Sequence, residues 1–528
     1  MTSDRVGSLP ALIARHARET PDRPYLVDAA GPRRTYAETH RSALTWGGAL
    51  RDLGVTPGDT VLSMMTKSVV PVELWLGMAW IGAIEVPVNL AYQGEMLGHV
   101  LTDSRAKVIV VEAGFLGRLA AIPEHVAGIE HVVVVGEPDT ASPLALLRAD
   151  DVLGRAHPVA DDDPPTLGDV ATILYTSGTT GPSKGALVPW AQLRATALGP
   201  WAVPSPDDIA YCPYPLFHVS GKYPLYAVAA AGGHVVIRDR WRTETFWSDV
   251  RTHGCTSVLL MSATTEFVDR APARTDDADN PLREVLMAPV IPHVHDFQRR
   301  FGVRVRTHFN MTEISPALAS WDITEPRSCG RVRDGYDVRI VDESDEEVPV
   351  GTSGELVIRA DEPWTLMAGY WKRPEATVAA WRNLWFHTGD VFVRDEAGNF
   401  FFVDRLKDAI RRRGENVSSF EVEREVLAHP DVADCAAIAV PHEFDEEIKV
   451  VMVMQPGSST TADEVIAFVA ARAPRFMVPR YVEIAEDLPR TPTGKVRKTV
   501  LREDPLNATT KDFGSTRRDP RAVVKEAV

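Results

Sequence analysis

Hydrophobic and polar positions over roughly the first 400 residues change period repeatedly, from that of a helix to that of a strand. The stretch "ALTWGGALRDLGVTPGDTVLSMM" (43–65) predicts a helix, a turn region rich in Gly and Pro, and a strand. The stretch "VELWLGMAWIGAIEVPV" (72–88) repeats that order as a buried helix leading into a strand. The β-branched runs "AKVIVVEA" and "EHVVVVGE" have the length of buried strands. This alternation predicts a mixed α/β body.

The pattern changes after the segment "DRLKDAIRRRGENVSS". Beyond it, "SSFEVEREVLAHP" and "TADEVIAFVAARA" predict helices, and "VADCAAIAVP" and "EIKVVMVMQP" predict strands. This compact unit of about 100 residues has the size of a separate domain. The fold class we predict is therefore α/β, with a large N-terminal α/β body and a small C-terminal α+β domain. The expected boundaries are 1–406 for the body, 407–506 for the small domain and 507–528 for a charged, loosely ordered tail.

Charge and composition narrow the range of partners. The chain of 528 residues carries a formal net charge of −16, which argues against broad binding to nucleic acid or to an anionic membrane. Its start lacks the apolar core of a signal peptide, and its most apolar stretch is broken by Gly and Pro and contains Glu85. The four cysteines show no C-x-x-C pair, so no zinc site or disulfide framework is indicated. We expect a cytoplasmic protein without membrane insertion.

The stretch "YTSGTTGPSKG" (175–185) is the first candidate for chemistry. Its glycines, hydroxyls and single lysine suggest a loop that holds a phosphate, because backbone N–H groups, hydroxyls and an ammonium group can converge on an anion. It does not match the P-loop pattern, since Lys184 follows Ser183 and precedes Gly185. Taken alone, the stretch is equally consistent with a turn-rich surface loop.

Three further motifs follow it in order, and together the four resemble those of the adenylate-forming superfamily. The four are "YTSGTTGPSKG" (175–185), "HFNMTE" (308–313), "LWFHTGD" (384–390) with "DRLKDAIRRRGENVSSFEVE" (404–423), and "PRTPTGKVRK" (489–498). Within that superfamily the chain looks closest to bacterial acid–CoA ligases of the crotonobetaine/carnitine type. The resemblance implies an acyl-CoA synthetase-like fold with a mobile C-terminal domain, and ATP, Mg²⁺ and CoA as ligands.

The resemblance assigns roles to the nucleotide-binding residues. The loop would cradle the outer phosphates of ATP, Thr312 would contact the α-phosphate, and Glu313 would hold Mg²⁺, which prefers carboxylate oxygen. Phe309 would stack on adenine, Asp390 would accept hydrogen bonds from both ribose hydroxyls, and Arg405 would reach the ribose or a phosphate. The ATP-binding set it implies is Thr176, Ser177, Gly178, Thr179, Thr180, Gly181, Lys184, Ala288, Pro289, His308, Phe309, Asn310, Thr312, Asp390, Arg405 and Lys495.

The C-terminal motifs imply three further roles. Lys495 in "PTGK" would be the principal catalytic residue, acting with Thr312 and Glu313, because its charge bridges the substrate carboxylate and the α-phosphate. Lys407 stands at the position of the hinge about which the small domain rotates. Gly414 and Glu415 are expected to bind CoA.

The stretch "YPLFHVSGKYPLY" (214–226) is expected to line the acid pocket. His218 is either a wall residue of that pocket or a packed aromatic-like side chain. Lys222, together with His308 and Asn310, predicts a small, polar or anionic substrate, since relatives that take apolar chains have small or apolar residues there. The alternative for Lys222 is a solvent-exposed lysine.

The function we predict is AMP-forming activation of a small polar carboxylic acid, followed by transfer to CoA. A second hypothesis keeps the adenylation but activates nitrite and transfers its nitrogen to an aryl amine. Two further hypotheses are a free-standing peptide-synthetase subunit and a non-catalytic nucleotide-binding homologue. The sequence does not name the acid, and it leaves a homodimer open.

Overall fold

The computed structural model of the chain describes residues 7–138, 144–176, 183–199, 205–326, 328–405, 409–412, 415–442, 445–489, 496 and 498–514. All structural statements below refer to these residues. Within them the chain divides into two compact units, which are treated separately. The larger unit contains the described residues of 7–90, 97–176 and 184–405, and the smaller unit contains 91–96, residue 183 and those from 409 onward.

The helices, in chain order, are α1 (Leu9–Glu19), α2 (Tyr36–Asp52), α3 (Val69–Trp80), α4 (Gly94–Ser104), α5 (Leu116–Ala120), α6 (Pro123–Val126), α7 (Ala149–Arg155), α8 (Trp190–Leu198), α9 (Val219–Ala231), α10 (Thr243–His253), α11 (Ser262–Asp269), α12 (Val294–Phe301), α13 (Pro374–Ala380), α14 (Ser419–Leu427), α15 (Ala462–Arg472) and α16 (Lys498–Glu503).

The strands, in chain order, are β1 (Pro24–Asp28), β2 (Arg33–Thr35), β3 (Thr60–Met64), β4 (Ile84–Pro87), β5 (Val108–Glu112), β6 (His131–Val135), β7 (Leu146–Arg148), β8 (Val170–Thr176), β9 (Lys184–Pro189), β10 (Ile209–Cys212), β11 (His234–Ile237), β12 (Ser257–Met261), β13 (Glu284–Ala288), β14 (Arg304–Phe309), β15 (Leu318–Ser320), β16 (Arg331–Val332), β17 (Tyr336–Val341), β18 (Gly354–Ala360), β19 (Gly369–Tyr370), β20 (Phe386–Arg394), β21 (Phe400–Arg405), β22 (Ala409–Arg412), β23 (Glu415–Ser418), β24 (Val432–His442), β25 (Asp445–Met454), β26 (Tyr481–Ile484) and β27 (Lys511–Asp512).

The larger unit is built on two mostly parallel sheets. In the described residues one sheet has the order β16-β15-β14-β13-β12-β10-β11-β1-β2, and the other has the order β19-β9-β8-β4-β3-β5-β6-β7. The larger unit also contains a smaller antiparallel sheet, β17-β18-β20-β21. The strands β5 and β6 are near-continuous runs of Val and Ile that are largely buried, as expected for a parallel sheet covered on both faces.

The helix α3 shows how the apolar pattern places an element. All but one of its residues are buried, and residues of α1, α3 and α9 share one hydrophobic core cluster. A helix that is apolar on all sides must be covered on all sides, so it occupies the interior. The predicted order of a buried helix followed by a strand over 72–88 is confirmed by α3 and β4.

The smaller unit contains a two-stranded sheet, β22-β23, and a sheet of the order β24-β25-β26-β27 in its described residues. The helix α15 begins at a capping box, in which Thr461 accepts a hydrogen bond from the backbone N–H of Glu464. The helices α14 and α15 and the strands β24 and β25 lie where the sequence predicts them. The predicted fold class, a large α/β body with a small α+β domain, is confirmed.

The sequence predicts a loose tail from residue 507, but the segment 507–514 is ordered. Lys511 and Asp512 pair with Val482 and Tyr481, and the side chain of Phe513 is buried. These contacts attach Lys511 and Asp512 to the edge strand β26, and the charge pattern does not predict them. Residues 515–528 lie outside the described part of the chain.

None of the four cysteines forms a disulfide. No helix in the described ranges has both the length and the apolar character needed to cross a bilayer.

Candidate active site

The strands β8 and β9 form an antiparallel hairpin that carries the two ends of the phosphate-loop motif. Thr176 and Lys184 are directly paired, and the Thr176 hydroxyl lies 3.5 Å from the Lys184 carbonyl oxygen. Buried apolar positions on β8 and β9 fix this register, so Lys184 is held at the first position of β9. The loop residues Ser177, Gly178, Thr179, Thr180 and Gly181 lie outside the described part of the chain.

Lys184 and Glu313 are brought together by a tyrosine that the sequence analysis did not identify. The Lys184 ammonium lies 5.3 Å from the centre of the Tyr370 ring, and the Tyr370 hydroxyl donates a hydrogen bond of 3.1 Å to Glu313 Oε1. Tyr370 reaches this position because β19 pairs with β9, placing Tyr370 opposite Ala186. Burial, with the Glu313 carboxylate adding to it, raises the pKa of Tyr370, so the phenol keeps its proton and remains a donor.

The segment after β14 is held by its backbone. Gln192 Nε2 donates a hydrogen bond of 2.8 Å to the Thr312 carbonyl, and the Met367 N–H donates one of 2.9 Å to the Glu313 carbonyl. Glu313 is 8% exposed, and in the described residues Tyr370 is its only side-chain hydrogen-bond partner. A carboxylate with one oxygen left available suits Mg²⁺, which commonly binds one or two carboxylates together with substrate phosphates.

The "HTGD" segment of β20 is fixed by a buried carboxylate. Glu355 accepts hydrogen bonds from His387 Nδ1 at 2.9 Å and from the Gly389 N–H at 3.0 Å. Gly389 has φ +70°, a conformation that favours glycine, and the Thr388 hydroxyl accepts from the Asp390 N–H at 3.1 Å. Asp390 is buried and is paired across the sheet with Arg405, so the backbones of the two expected ribose ligands are adjacent.

Phe309, the expected adenine partner, packs edge-to-face against Phe392 with ring centres 4.9 Å apart. This contact fixes the ring from one side. Ala288 is the last residue of β13 and is followed by Pro289. It is paired with Met261, the last residue of the neighbouring strand β12. The C-terminal ends of β12, β13 and β14 thus carry Met261, Ala288 and Phe309, the edge at which α/β folds bind ligands.

His308 and Asn310 carry buried polar atoms that the protein does not satisfy. His308 Nδ1 and Asn310 Oδ1 have no hydrogen-bond partner in the described part of the chain. Burial lowers the pKa of His308 to about 3, with nearby Arg333 adding to the effect, so the imidazole is neutral at physiological pH. Its ring lies 6.2 Å from that of Tyr223 on α9. Buried groups without partners usually mark a site where a ligand or water completes the bonding.

His218 stands at the N-cap of α9, with its ring centre 4.8 Å from that of Phe217. Both of its interpretations, pocket wall and packed aromatic-like side chain, are compatible with this position. A glycine is required three residues later, because a Cβ on Gly221 would lie 2.0 Å from the Pro215 carbonyl oxygen. The chain therefore turns tightly from the pocket stretch into α9.

Lys222 differs from both of its expected environments. It is 0% exposed, so the solvent-exposed alternative is wrong, and its ammonium is paired with the buried carboxylate of Glu85 on β4. Glu85 also accepts from the Thr172 hydroxyl at 2.9 Å, and the Lys222 Nζ lies 3.7 Å from the centre of the Trp75 ring. Burial lowers the pKa of Lys222, and the Glu85 carboxylate opposes that shift. The charge of Lys222 is therefore matched by Glu85 of β4 and is not left for a substrate anion.

Some expected site residues lie outside the described part of the chain or in the smaller unit. Lys495, Lys407 and Gly414 lie outside the described residues. The side chain of Arg405 is also outside the described part, and Glu415 belongs to the smaller unit, opposite Arg412 in the β22-β23 pair. Sequence reasoning missed Tyr370, Gln192 and Glu85. For Glu85 a signal existed, since a carboxylate inside a strand that is otherwise apolar requires a buried partner.

Comparison with known proteins places the chain in a family. Residues 13–371 match the model of the AMP-binding enzyme family, and residues 421–495 match that of the AMP-binding enzyme C-terminal domain. The chain belongs to the AMP-binding enzyme family, and it is an ATP-dependent ligase.

Individual relatives agree with this assignment. A crotonobetaine/carnitine–CoA ligase of Salmonella heidelberg is 31% identical over 484 residues, covering 89% of this chain and 93% of that protein. One from Citrobacter koseri is 33% identical over 466 residues, covering 85% and 89%. The structure of an amide bond synthetase from Marinactinospora thermotolerans has a TM-score of 0.80 at 24% identity, covering 94% of this chain and 99% of that one, and shows a shared fold.

Proposed function

We propose that this protein activates a small polar carboxylic acid with ATP and transfers the acyl group to CoA. In the first step a carboxylate oxygen of the acid bonds to the α-phosphorus of ATP, the bond to the bridging oxygen breaks, and pyrophosphate leaves. In the second step the CoA sulfur bonds to the acyl carbon, the bond to the AMP oxygen breaks, and AMP leaves with the thiol proton released to solvent. The relatives named as CoA ligases support CoA as the acceptor.

The observation that carries the proposal is the convergence of Lys184 and Glu313 on Tyr370. An ammonium group and a carboxylate that both contact one tyrosine, at the end of a loop rich in Gly, Ser and Thr, are suited to the outer phosphates of a nucleotide and their metal ion. Tyr370 keeps the carboxylate oriented while its second oxygen stays available. Glu313 would hold Mg²⁺, and the bound ion would neutralise the negative charge of the phosphates. Lys184 would bind pyrophosphate as it leaves, and Asp390 would hold the ribose.

The acid is proposed to be short and to carry a polar group that is neutral. His308 and Asn310 offer unsatisfied neutral atoms, and a hydroxyl or amino substituent would satisfy them, whereas an alkyl chain would not. Asn310 also fills space where the superfamily normally has glycine, which shortens the pocket.

A second candidate is activation of nitrite, with transfer of its nitrogen to an aryl amine. The observation in its favour is Lys67, a buried lysine with no carboxylate partner in the described residues, next to the stretch that leads into α9. A non-catalytic homologue is disfavoured, because Lys184, Glu313 and Asp390 are all present and the fold itself does not require this combination of residues.

The experiment is a screen of pyrophosphate release from ATP over short acids with hydroxyl, amino, alkyl or second carboxyl substituents. Each acid is measured with and without CoA, and a parallel series contains nitrite with an aryl amine. Release that depends on a hydroxy or amino acid, with a thioester formed only when CoA is present, is the expected result. Release that needs nitrite and amine, without CoA, would support the second candidate. No ATP–pyrophosphate exchange with any compound would reject both.

Lys495→Ala tests the assignment of the catalytic lysine. Removing a preorganised charge at the transition state should slow adenylation about 10²–10³-fold. Transfer to CoA from a supplied acyl-adenylate should be less affected, because the carboxylate is already bonded to the α-phosphorus and their repulsion no longer has to be overcome. Lys107→Ala, which removes an exposed lysine paired with Glu130, is the matched control. Equal loss of both half-reactions would contradict the role.

A further inference from the structure

An aspartate near the end of α4 joins two segments that flank Lys184. Asp103 Oδ2 accepts a hydrogen bond of 2.8 Å from the hydroxyl of Tyr175 on β8. Its Oδ1 accepts one of 2.7 Å from the Arg373 guanidinium, and its backbone carbonyl accepts one of 3.0 Å from the indole N–H of Trp371. One residue of α4 therefore holds three side chains that come from two distant parts of the chain.

The two segments are the neighbours of β9 in its sheet. The order β19-β9-β8 places β8 on one side of β9 and β19, which directly precedes Trp371, on the other. Tyr175 is paired with Gly185, the residue after Lys184, and the Trp371 N–H donates a hydrogen bond of 2.7 Å to the Gly185 carbonyl. Asp103 thus bridges both neighbours of β9 at the end of the strand that begins with Lys184.

The side chains around Gly185 are closely packed. A Cβ on this glycine would lie 3.4 Å from Tyr175 Cζ and from Trp371 Cβ, and 2.5 Å from Ile173 Cγ2. Tyr175 and Trp371 therefore lie against the backbone directly after Lys184. Because a packed interior transmits displacement, a shift of either aromatic side chain has to move this backbone.

The helix itself does not account for a carboxylate at this position. Asp103 lies in the last turn of α4, where the helix dipole presents partial negative charge and disfavours an anion. Its side chain is 12% exposed, and the groups that compensate it are the Arg373 guanidinium and the Tyr175 hydroxyl. Burial, with the Asp103 carboxylate adding to it, raises the pKa of Tyr175, so the phenol keeps its proton and remains a donor. The carboxylate is explained by the side chains it holds.

We propose that Asp103 is a positioning residue for the phosphate site: through Tyr175 and Trp371 it fixes the backbone from which Lys184 extends. This role rests on the proposed function, in which Lys184 binds the outer phosphates of ATP. An ammonium group has to meet phosphate oxygens at a fixed distance, so a small displacement of its backbone weakens that contact. The contacts with the adenosine part of the nucleotide do not depend on it.

The test is calorimetric titration of the whole chain with ATP and with AMP, each with Mg²⁺ and without any acid substrate. The ratio of the two affinities isolates the outer phosphates, because both nucleotides contain the adenosine and the α-phosphate. Asp103→Ala should lower the ratio of ATP to AMP affinity about tenfold, as is typical when a residue that orients a binding group is lost. Its affinity for AMP should stay close to that of the wild type.

Asp249→Ala is the matched control. Asp249 lies on α10 of the same unit and also accepts hydrogen bonds from a tyrosine and an arginine, Tyr211 at 2.9 Å and Arg238 at 2.6 Å. Its loss should leave the affinity ratio unchanged, whatever it does to stability. Asp103→Asn keeps an acceptor for Tyr175 and should recover part of the ratio, and it serves as the test variant if Asp103→Ala does not fold.

A second background shows whether Asp103 acts through Lys184. In Lys184→Ala the affinity ratio is already low, and adding Asp103→Ala should change it little, because the group that Asp103 positions is gone. An equal further fall in that background would overturn the proposal, as would a wild-type ratio in both Asp103 variants. A wild-type protein that binds ATP no more tightly than AMP would contradict the phosphate role of Lys184 itself, and the positioning role would be lost with it.

Discussion

Lys184 and Lys222 stand in similar sequence contexts, "GPSKGAL" and "VSGKYPL", and the structure gives them opposite environments. Lys184 is half-buried on a hairpin, with its ammonium group near the ring of Tyr370, and has no carboxylate in direct contact within the described residues. Lys222 is completely buried, and its charge is matched by Glu85. A lysine whose charge is matched inside the protein contributes to the fold, whereas one that is left unmatched at a loop can bind a phosphate.

The largest effect we expect is on stability, from Glu85→Gln. The change leaves the Lys222 ammonium buried without its carboxylate, which should lower the free energy of unfolding by about 3–5 kcal/mol. Urea unfolding measures it. The double variant Glu85→Gln/Lys222→Met removes both charges and should recover most of the loss. Stability equal to that of the wild type in Glu85→Gln would show that the pair is not charged in the folded protein.

Lys184→Ala should reduce activity without lowering stability, the reverse of the result expected for Glu85→Gln. Pyrophosphate release should fall about 10²–10³-fold, as for other losses of a preorganised electrostatic group, with unfolding unchanged. Steady-state kinetics with saturating acid, together with a urea unfolding curve, separates the two effects. The comparison between the lysines fails if Lys184→Ala is destabilised as strongly as Glu85→Gln.

Tyr370→Phe isolates the contact that joins Lys184 to Glu313. The variant keeps the ring beside the lysine but removes the hydroxyl that orients the carboxylate, a bond to a charged group of about 1.5–3 kcal/mol. We expect adenylation to slow about tenfold to a hundredfold, with a higher magnesium concentration needed for half-maximal rate. Tyr211→Phe, which removes a hydroxyl that donates a hydrogen bond of 2.9 Å to the Asp249 carboxylate on α10, is the control. An unchanged magnesium dependence would argue against Glu313 as the metal ligand.

The smallest effect concerns pH. His308 has a pKa of about 3 in the folded protein against an ordinary value of 6.5, so the unfolded chain takes up a proton below pH 6.5 that the folded one does not. Stability is therefore lost as the pH falls from 6.5 toward 3, by about 1.4 kcal/mol at one pH unit below the ordinary pKa. His308→Gln should remove this part of the difference in unfolding free energy between neutral and mildly acidic buffer. If the variant loses as much stability as the wild type, His308 is not held neutral.

The sequence alone determined the features that depend on local pattern. Strand periods indicated the α/β body because the β-branched runs have no polar face to turn to solvent, and the same reasoning placed α3, β4, α14 and α15. Thr176, Lys184, Thr312, Glu313 and Asp390 could be proposed as site residues because their motifs lie in short contiguous segments.

Only the tertiary structure decided which charges meet. Glu85 and Lys222 are 137 residues apart, Lys67 and Cys212 are 145 apart, and Tyr370 and Glu313 are 57 apart. Nothing in a local window says that Glu85 of β4 meets Lys222 of α9 or that β19 pairs with β9, because these contacts depend on sheet order and crossover connections. The role of a lysine is fixed by the counter-charge it meets and by the water it loses, and both are properties of the packed protein, not of the residues on either side of it in the chain.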